Sequence, residues 1–366
     1  MSLKVLISGG GTGGHIFPAI AIANTIKKTH PDAQILFVGA NGKMEMEKVP
    51  AAGYEIIGLN ITGIQRKLSL SNLAFPFRLI GSLIKARAII KTFKPSVVVG
   101  VGGFASGPVL RMATWMKIPA LIQEQNSFAG ITNRWVASSV QRVCVAYDHM
   151  DKFFPKDVIL KTGNPVRENV VLIEGKKQSA LAKWNFTDAK PILLVVGGSL
   201  GARSINQALA GDIQRLIDAG MQVMWQTGKL FADEAKVLRE KHKGDPVVIT
   251  EFIYEMDLAY AMADMVVSRA GAIAVSELTI VGKPTILVPF PYAAEDHQTM
   301  NAMALVNTDA AIHVADKVAA LELVDEVLKL NNDRTTGDRL KDNMRAHALP
   351  NAAEEIAAEV VKIARA

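Results

Sequence analysis

Twice along the chain a short run of branched apolar residues ends abruptly in a cluster of glycines. Lys4-Val5-Leu6-Ile7-Ser8 runs into Gly9-Gly10-Gly11-Thr12-Gly13-Gly14-His15, and Pro191-Ile192-Leu193-Leu194-Val195-Val196 runs into Gly197-Gly198-Ser199-Leu200-Gly201-Ala202-Arg203. Runs this short and uniformly apolar read as strands buried on both faces, the pattern of a parallel sheet. Glycines let the backbone turn tightly and approach a ligand closely, and a helical segment such as Ile16 to Ala23 follows. Strand, glycine loop and helix, used twice, predict two Rossmann-like α/β domains in tandem. Further strands are expected at Gln34 to Val38, Ser96 to Val101, Ala120 to Gln123, Arg142 to Ala146, Gln222 to Gln226, Val247 to Thr250, Met265 to Ser268 and Thr285 to Val288. The break at Thr162-Gly163-Asn164-Pro165-Val166 puts the domains at 1–165 and 166–345.

Length and composition fit that division, because 366 residues with 49% hydrophobic content can fill two cores of ordinary size. No apolar run approaches the roughly 20 residues that span a bilayer. The opening residues leave no room for a secretory leader, so a cytoplasmic location is expected. Cys144 is the only cysteine, which excludes an intrachain disulfide and a cysteine-built metal site.

The first glycine loop formally satisfies a dinucleotide fingerprint at Gly9, Gly11 and Gly14, but the second strand ends Val38-Gly39-Ala40-Asn41, without the acid that holds a ribose. Neither loop continues into Gly-Lys-Ser/Thr, so neither is a P-loop. What remains is a pair of helix N-termini suited to an anion or a sugar hydroxyl. A third cluster, Ser268-Arg269-Ala270-Gly271-Ala272-Ile273-Ala274-Val275-Ser276-Glu277, follows a strand and opens a helix. Its N-terminus suits a diphosphate, Arg269 adds a cation, and Glu277 lies within reach of a ribose diol. A solvated helix glutamate is the plainer reading of Glu277. Downstream, Glu295-Asp296-His297-Gln298 gathers groups that can read sugar hydroxyls or cap a loop.

Between Glu55 and Glu124 there is no acidic residue, whereas Arg66, Lys67, Arg78, Lys85, Arg87, Lys91, Lys94, Arg111 and Lys117 all occur there. Leu68 to Ile80 is apolar within this basic stretch. Cations flanking an apolar face suit an anionic membrane surface. An ordinary solvated helix face is the alternative; nucleic acid is not expected, since no binding motif is present.

Gly-Gly-Thr-Gly-Gly-His at 10–15, Gly-Gly-Phe at 102–104, Glu-Gln-Asn at 124–126, Gly-Asn-Pro-Val-Arg at 163–167, Gly-Gly-Ser-Leu-Gly-Ala at 197–202, Ser-Arg-Ala-Gly-Ala at 268–272 and Asp-His-Gln at 296–298 occur in one order along nearly the whole chain. In these motifs the chain resembles the MurG family of bacterial transferases. The resemblance implies the glycosyltransferase B fold, two Rossmann-like domains facing a cleft, with the segment 346–366 returning to the N-terminal domain. It implies inverting transfer of N-acetylglucosamine from UDP-GlcNAc to the 4-hydroxyl of the muramoyl sugar of undecaprenyl-pyrophosphoryl-MurNAc-pentapeptide, converting lipid I to lipid II. Donor contacts are implied for Thr12, Gly13, Gly14, Asn126, Arg167, Ser199, Ile253 (through its backbone), Ala272, Ile273, Ala274, Val275, Ser276, Glu277 and Gln298. Peripheral attachment to the cytoplasmic face of the membrane follows, and other cell-wall synthesis proteins are candidate partners. Gln123 departs from the His of many relatives and Phe104 from the Tyr of some, so contacts specific to those side chains do not carry over.

No Asp-x-Asp pair occurs, so neither a metal nor any other cofactor is expected, and the leaving UDP is expected to be stabilised by the helix at Gly271, the Ser199 loop and Arg269. His15 is the expected base toward the acceptor hydroxyl, with Glu124 second and an orienting role for the histidine as the alternative. Two other classes stay open: a UDP-GlcNAc 2-epimerase or glycolipid synthase of the same fold, and a non-catalytic UDP-sugar sensor.

Overall fold

The computed structural model describes residues 2–63 and 75–365. The chain divides into two compact units, Met1–Val166 with Pro350–Ala366, and Arg167–Leu349.

In unit 1, β1 (Lys4–Ser8), β2 (Gln34–Ala40), β3 (Glu55–Leu59), β4 (Val97–Gly100), β5 (Ala120–Glu124), β6 (Arg142–Val145) and β7 (Ile159–Lys161) form a parallel sheet ordered β3-β2-β1-β4-β5-β6-β7. The middles of its central strands are apolar because both faces are covered. Leu6, Val98 and Ile122 enter one core, while Val5, Ile7, Val97, Val99 and Leu121 enter the other. Burying each such side chain contributes about 1.5–3 kcal/mol. On the second face the Gly13–Thr29 helix packs against the Ala352–Arg365 helix, which buries Ile356, Ala357, Val360 and Ile363, a spacing that puts them on one face. Arg142 Nε pairs with Glu359 Oε1 at 3.0 Å, tying that last helix to β6.

In unit 2, β8 (Ile192–Val196), β9 (Gln222–Gln226), β10 (Val247–Thr250), β11 (Met265–Ser268), β12 (Thr285–Leu287) and β13 (Ile312–His313) are ordered β10-β9-β8-β11-β12-β13, again all parallel. The sequence pattern missed β3, β7 and β13. β3 carries Gly58 in its five residues, β7 ends in two exposed residues, and β13 is two residues long.

Both sheets reverse their order next to the strand that feeds a glycine loop, and this positions the chemistry. In unit 1, Ser8 pairs with Gly100, so the Gly9 and Gly102 loops leave the carboxyl edge side by side. In unit 2, Val196 pairs with Ser268, which does the same for the Gly197 and Arg269 loops. The carboxyl edge at such a switch point is where doubly wound sheets bind ligands.

Candidate functional site

In unit 1 the first glycine loop is anchored from below. Gly10 N–H donates to Gly102 O at 3.3 Å, and Glu45, buried at the start of the Glu45–Ala51 helix, accepts from Ala40 N–H at 3.0 Å and Gly11 N–H at 2.9 Å. The acid that the end of β2 lacks thus stands five residues beyond it, turned into the loop. His15 lies in the first turn of the Gly13–Thr29 helix with Nδ1 3.0 Å from Gly10 O. A carbonyl can only accept, so Nδ1 carries the proton and Nε2 is the basic nitrogen of the neutral ring. Thr12 is the helix N-cap residue and its hydroxyl lies 3.4 Å from Nδ1; Gly13 and Gly14 form the first helical residues.

Gly102 joins this ring to a second group. A Cβ at Gly102 would lie 2.9 Å from His15 Nε2 and 3.6 Å from Asn133 Nδ2, and φ there is +91°, so only glycine fits. Asn133 Nδ2 donates to Glu124 Oε2 at 2.9 Å, and the same carboxylate accepts from Gly130 N–H and Asn126 N–H, both at 3.0 Å. Glu124 is therefore engaged as the organiser of the 126–133 segment, each of its oxygens accepting amide N–H groups, an arrangement that favours His15 over it as the base. Asn126 is held by it, and the buried Asn133 Oδ1 has no partner among the described residues.

In unit 2 the Ala272–Val281 helix begins at Gly271, which supplies no side-chain cap, and its first turn carries no acid. Its leading N–H groups at Ala272, Ile273 and Ala274 lack intrahelical acceptors by geometry, and a Cβ at Gly271 would meet nothing within 4 Å. The helix start is thus open, and its chemistry suits an anion. On the same helix Glu277 is buried, accepts a hydrogen bond from Tyr260 Oη at 3.3 Å and has Arg167 Nη2 at 4.0 Å from Oε1. Burial raises its pKa to about 7 against the lowering effects of Arg167 and Tyr260. Burial likewise lifts Tyr260 well above its usual range, Glu277 adding to the effect. The solvated-glutamate reading is thereby excluded. Val275 is packed in the core, whereas Ile273, Ala274 and Ser276 are partly exposed.

Ser199 is exposed in the Gly197 loop, whose carbonyls at Ser199 and Leu200 accept N–H groups of Lys229 and Leu230. The buried amide of Gln226 bridges that loop to Ile253, donating to Gly198 O at 3.1 Å and accepting Ile253 N–H at 2.9 Å. The Ile253 N–H is thus engaged within the unit. Gln298 accepts Phe290 N–H at 2.9 Å.

Arg269 departs from expectation. Its guanidinium turns inward, with Nη1 2.5 Å from Asp316 Oδ1, 2.9 Å from Val288 O and 3.1 Å from Pro289 O. Its charge is neutralised by Asp316 and its donors fix the 288–290 segment, so it shapes the site without being a spare cation for a diphosphate. Glu45, Asn133, Gln226, Tyr260 and Asp316 escaped the sequence reading because each acts through a partner distant along the chain. The basic stretch at Arg66 and Lys67 and the apolar residues 68–74 lie outside the described residues. Among the described residues no group of three or more His, Cys, Asp or Glu side chains is arranged to hold a metal ion.

Paired parallel-sheet units, each with a glycine-rich loop at its switch point and one with an open helix N-terminus beside a buried carboxylate, define a sugar-nucleotide glycosyltransferase of the B fold. Residues 5–145 match the glycosyltransferase family 28 N-terminal domain and residues 192–359 the glycosyltransferase family 28 C-terminal domain. The chain is 51% identical over 360 residues to the UDP-N-acetylglucosamine--N-acetylmuramyl-(pentapeptide) pyrophosphoryl-undecaprenol N-acetylglucosamine transferase of Parabacteroides distasonis, covering 98% of each. It is equally identical to the protein of the same name from Cytophaga hutchinsonii, over 98% of this chain and 96% of that one. The crystal structure of Acinetobacter baumannii MurG matches with a TM-score of 0.80 at 27% identity, over 98% of this chain and 99% of that one. The chain belongs to glycosyltransferase family 28 and, within it, to the MurG group.

Proposed function

We propose that this chain transfers N-acetylglucosamine from UDP-GlcNAc to the 4-hydroxyl of the muramoyl sugar of lipid I, with inversion, to give lipid II of peptidoglycan synthesis. It is a UDP-GlcNAc-dependent hexosyltransferase. The observation that carries the mechanistic reading is the uncapped N-terminus of the Ala272–Val281 helix, with the buried Glu277 further along it. The helix N-terminus supports binding of the diphosphate, Glu277 accepts from the ribose diol, and the Ile253 carbonyl meets the uracil. Thr12, Gly13, Gly14, Asn126, Arg167, Ser199, Ser276 and Gln298 are the further donor contacts of this reading.

In the reaction the bond between the sugar C1 and the UDP oxygen breaks, UDP keeps the electron pair, and the acceptor 4-oxygen bonds to C1 from the opposite face. The helix dipole and N–H groups stabilise the charge that develops on UDP. The hydroxyl proton passes to His15 Nε2.

The acceptor is lipid-linked, and the surface of unit 1 supports peripheral attachment to the cytoplasmic face of the membrane. The Phe75–Phe93 helix exposes Phe77, Ile80 and Ile84 at positions that share one face, with Phe77 78% exposed. That helix packs on Ser106–Trp115, which packs on Ile131–Val136. There Arg111 lies over the exposed rings of Trp115 and Trp135, at 5.7 and 4.9 Å. Apolar and aromatic groups among cations suit an anionic interface. No helix among the described residues is long and apolar enough to cross a membrane.

The test is to incubate the purified protein with labelled UDP-sugars and a short-chain lipid I analogue. Transfer from UDP-GlcNAc is expected. Equal transfer from UDP-glucose, or UDP-GlcNAc turnover without any acceptor, overturns the assignment.

A further inference from the structure

The peptide unit between Gly10 and Gly11 is gripped at both ends. Its carbonyl accepts from His15 Nδ1 at 3.0 Å, and its N–H donates to Glu45 Oε2 at 2.9 Å. The other carboxylate oxygen accepts Ala40 N–H at 3.0 Å, so the side chain is fixed against the end of β2. Glu45 is 1% exposed, and the space that it fills is kept clear from two sides. A Cβ on Gly10 would lie 2.2 Å from its carboxyl carbon, and one on Gly39 would lie 2.5 Å from its Cγ. Gly103 makes room for the Gly10 carbonyl in the same way, since a Cβ there would approach that oxygen to 2.3 Å. Three glycines on three segments therefore accommodate one carboxylate and one carbonyl.

We propose that Glu45 is a positioning residue for His15, acting through the Gly10–Gly11 peptide. The proposal rests on the reading of His15 as the base toward the acceptor hydroxyl. A carboxylate bound to an amide N–H polarises that amide and strengthens its carbonyl as an acceptor. The carbonyl in turn holds Nδ1–H and leaves Nε2 as the nitrogen that takes the hydroxyl proton. When the ring becomes positive in the transition state, the sequence imidazolium, carbonyl, amide N–H, carboxylate stabilises it. No proton crosses the amide. The arrangement resembles in logic the acid that orients a catalytic histidine, with one peptide interposed.

The experiment is a double-mutant cycle with UDP-GlcNAc and a soluble lipid I analogue. Glu45→Gln keeps the shape but faces one N–H with an NH₂ group, and kcat is expected to fall about 10- to 100-fold with the donor KM within about twofold. In a His15→Ala background the same change is expected to cost less than about twofold. Losses that multiply, or a Glu45→Gln enzyme with wild-type kcat, overturn the proposal. Near-normal turnover of His15→Ala alone would instead remove the reading of His15 on which it rests. Should Glu45→Gln fail to fold, ¹⁵N chemical shifts of His15 in the wild-type protein still decide. A neutral ring protonated on Nδ1 supports the arrangement, and one protonated on Nε2 refutes it.

Discussion

Tyr260 donates its phenolic hydrogen to Glu277 Oε2 at 3.3 Å in the interior of unit 2, so the carboxylate proposed to meet the ribose has a neutral partner on its buried side. The pair explains how a glutamate can be kept out of water and yet aimed. Burial holds its pKa at about 7, and ligand hydroxyls that donate to it favour the ionised form.

Removing that carboxylate is expected to weaken donor binding. Glu277→Ala should cost roughly 1.5–3 kcal/mol, about ten- to hundredfold in UDP affinity, for loss of a charge-assisted hydrogen bond. Calorimetry with UDP reads this directly, and unchanged affinity removes Glu277 from the site.

The same residue predicts a pH effect of opposite sense on the unliganded protein. Burial lifts its folded pKa from an ordinary 4.5 to about 7, so between those values the native state binds more protons than the unfolded chain. Stability from this group therefore declines as pH rises through that window, and the full penalty is present above it. Glu277→Gln should raise stability at pH 8 by at most on the order of 3 kcal/mol and leave it nearly unchanged at pH 4.5. Denaturant melts at the two pH values measure the difference; a larger gain at the lower pH contradicts it.

For His15→Ala the expectation is a loss of about 10²–10⁴-fold in turnover with little change in UDP affinity. The wild-type rate should fall at acid pH because only the neutral imidazole accepts a proton, and the mutant profile should lack that limb. A mutant that keeps the limb with a small loss identifies an orienting histidine.

Metal independence follows from leaving-group stabilisation by helix N–H groups. Activity in excess EDTA is expected to match the untreated enzyme. Complete loss, restored by a divalent ion, contradicts the mechanism.

The exposed apolar face of the Phe75–Phe93 helix should govern binding to bilayers. Replacing Phe77 and Ile84 together by Glu is expected to reduce co-sedimentation with anionic vesicles at least about tenfold. Both side chains are largely exposed, so the melting temperature should shift little. Wild-type sedimentation of the double mutant moves the membrane contact elsewhere.

What the sequence made legible was whatever repeats locally. The apolar runs at β1, β4, β8 and β11 announced buried parallel strands, and their glycine endings announced loops, because period and glycine placement are local signals. Glu277 was singled out by its place after the Ser268–Gly271 loop, but its burial depends on Tyr260, which lies seventeen residues away. The partners of Arg269 were hidden for the same reason. Its partner Asp316 stands forty-seven residues on, and no pattern in the sequence couples the two. Glu45 hid behind an expected acid at the end of β2, five residues before the point where the chain supplies one.

The Ala352–Arg365 helix belongs to unit 1 although the whole of unit 2 precedes it in the chain. As the protein emerges from a ribosome, residues 167–349 can close their core while the Gly13–Thr29 helix still exposes the apolar stripe that Ile356, Val360 and Ile363 will cover. The amino-terminal unit is the first to be made and the last to be finished, which leaves a newly synthesised chain with one sealed unit and one open apolar seam until the final helix docks.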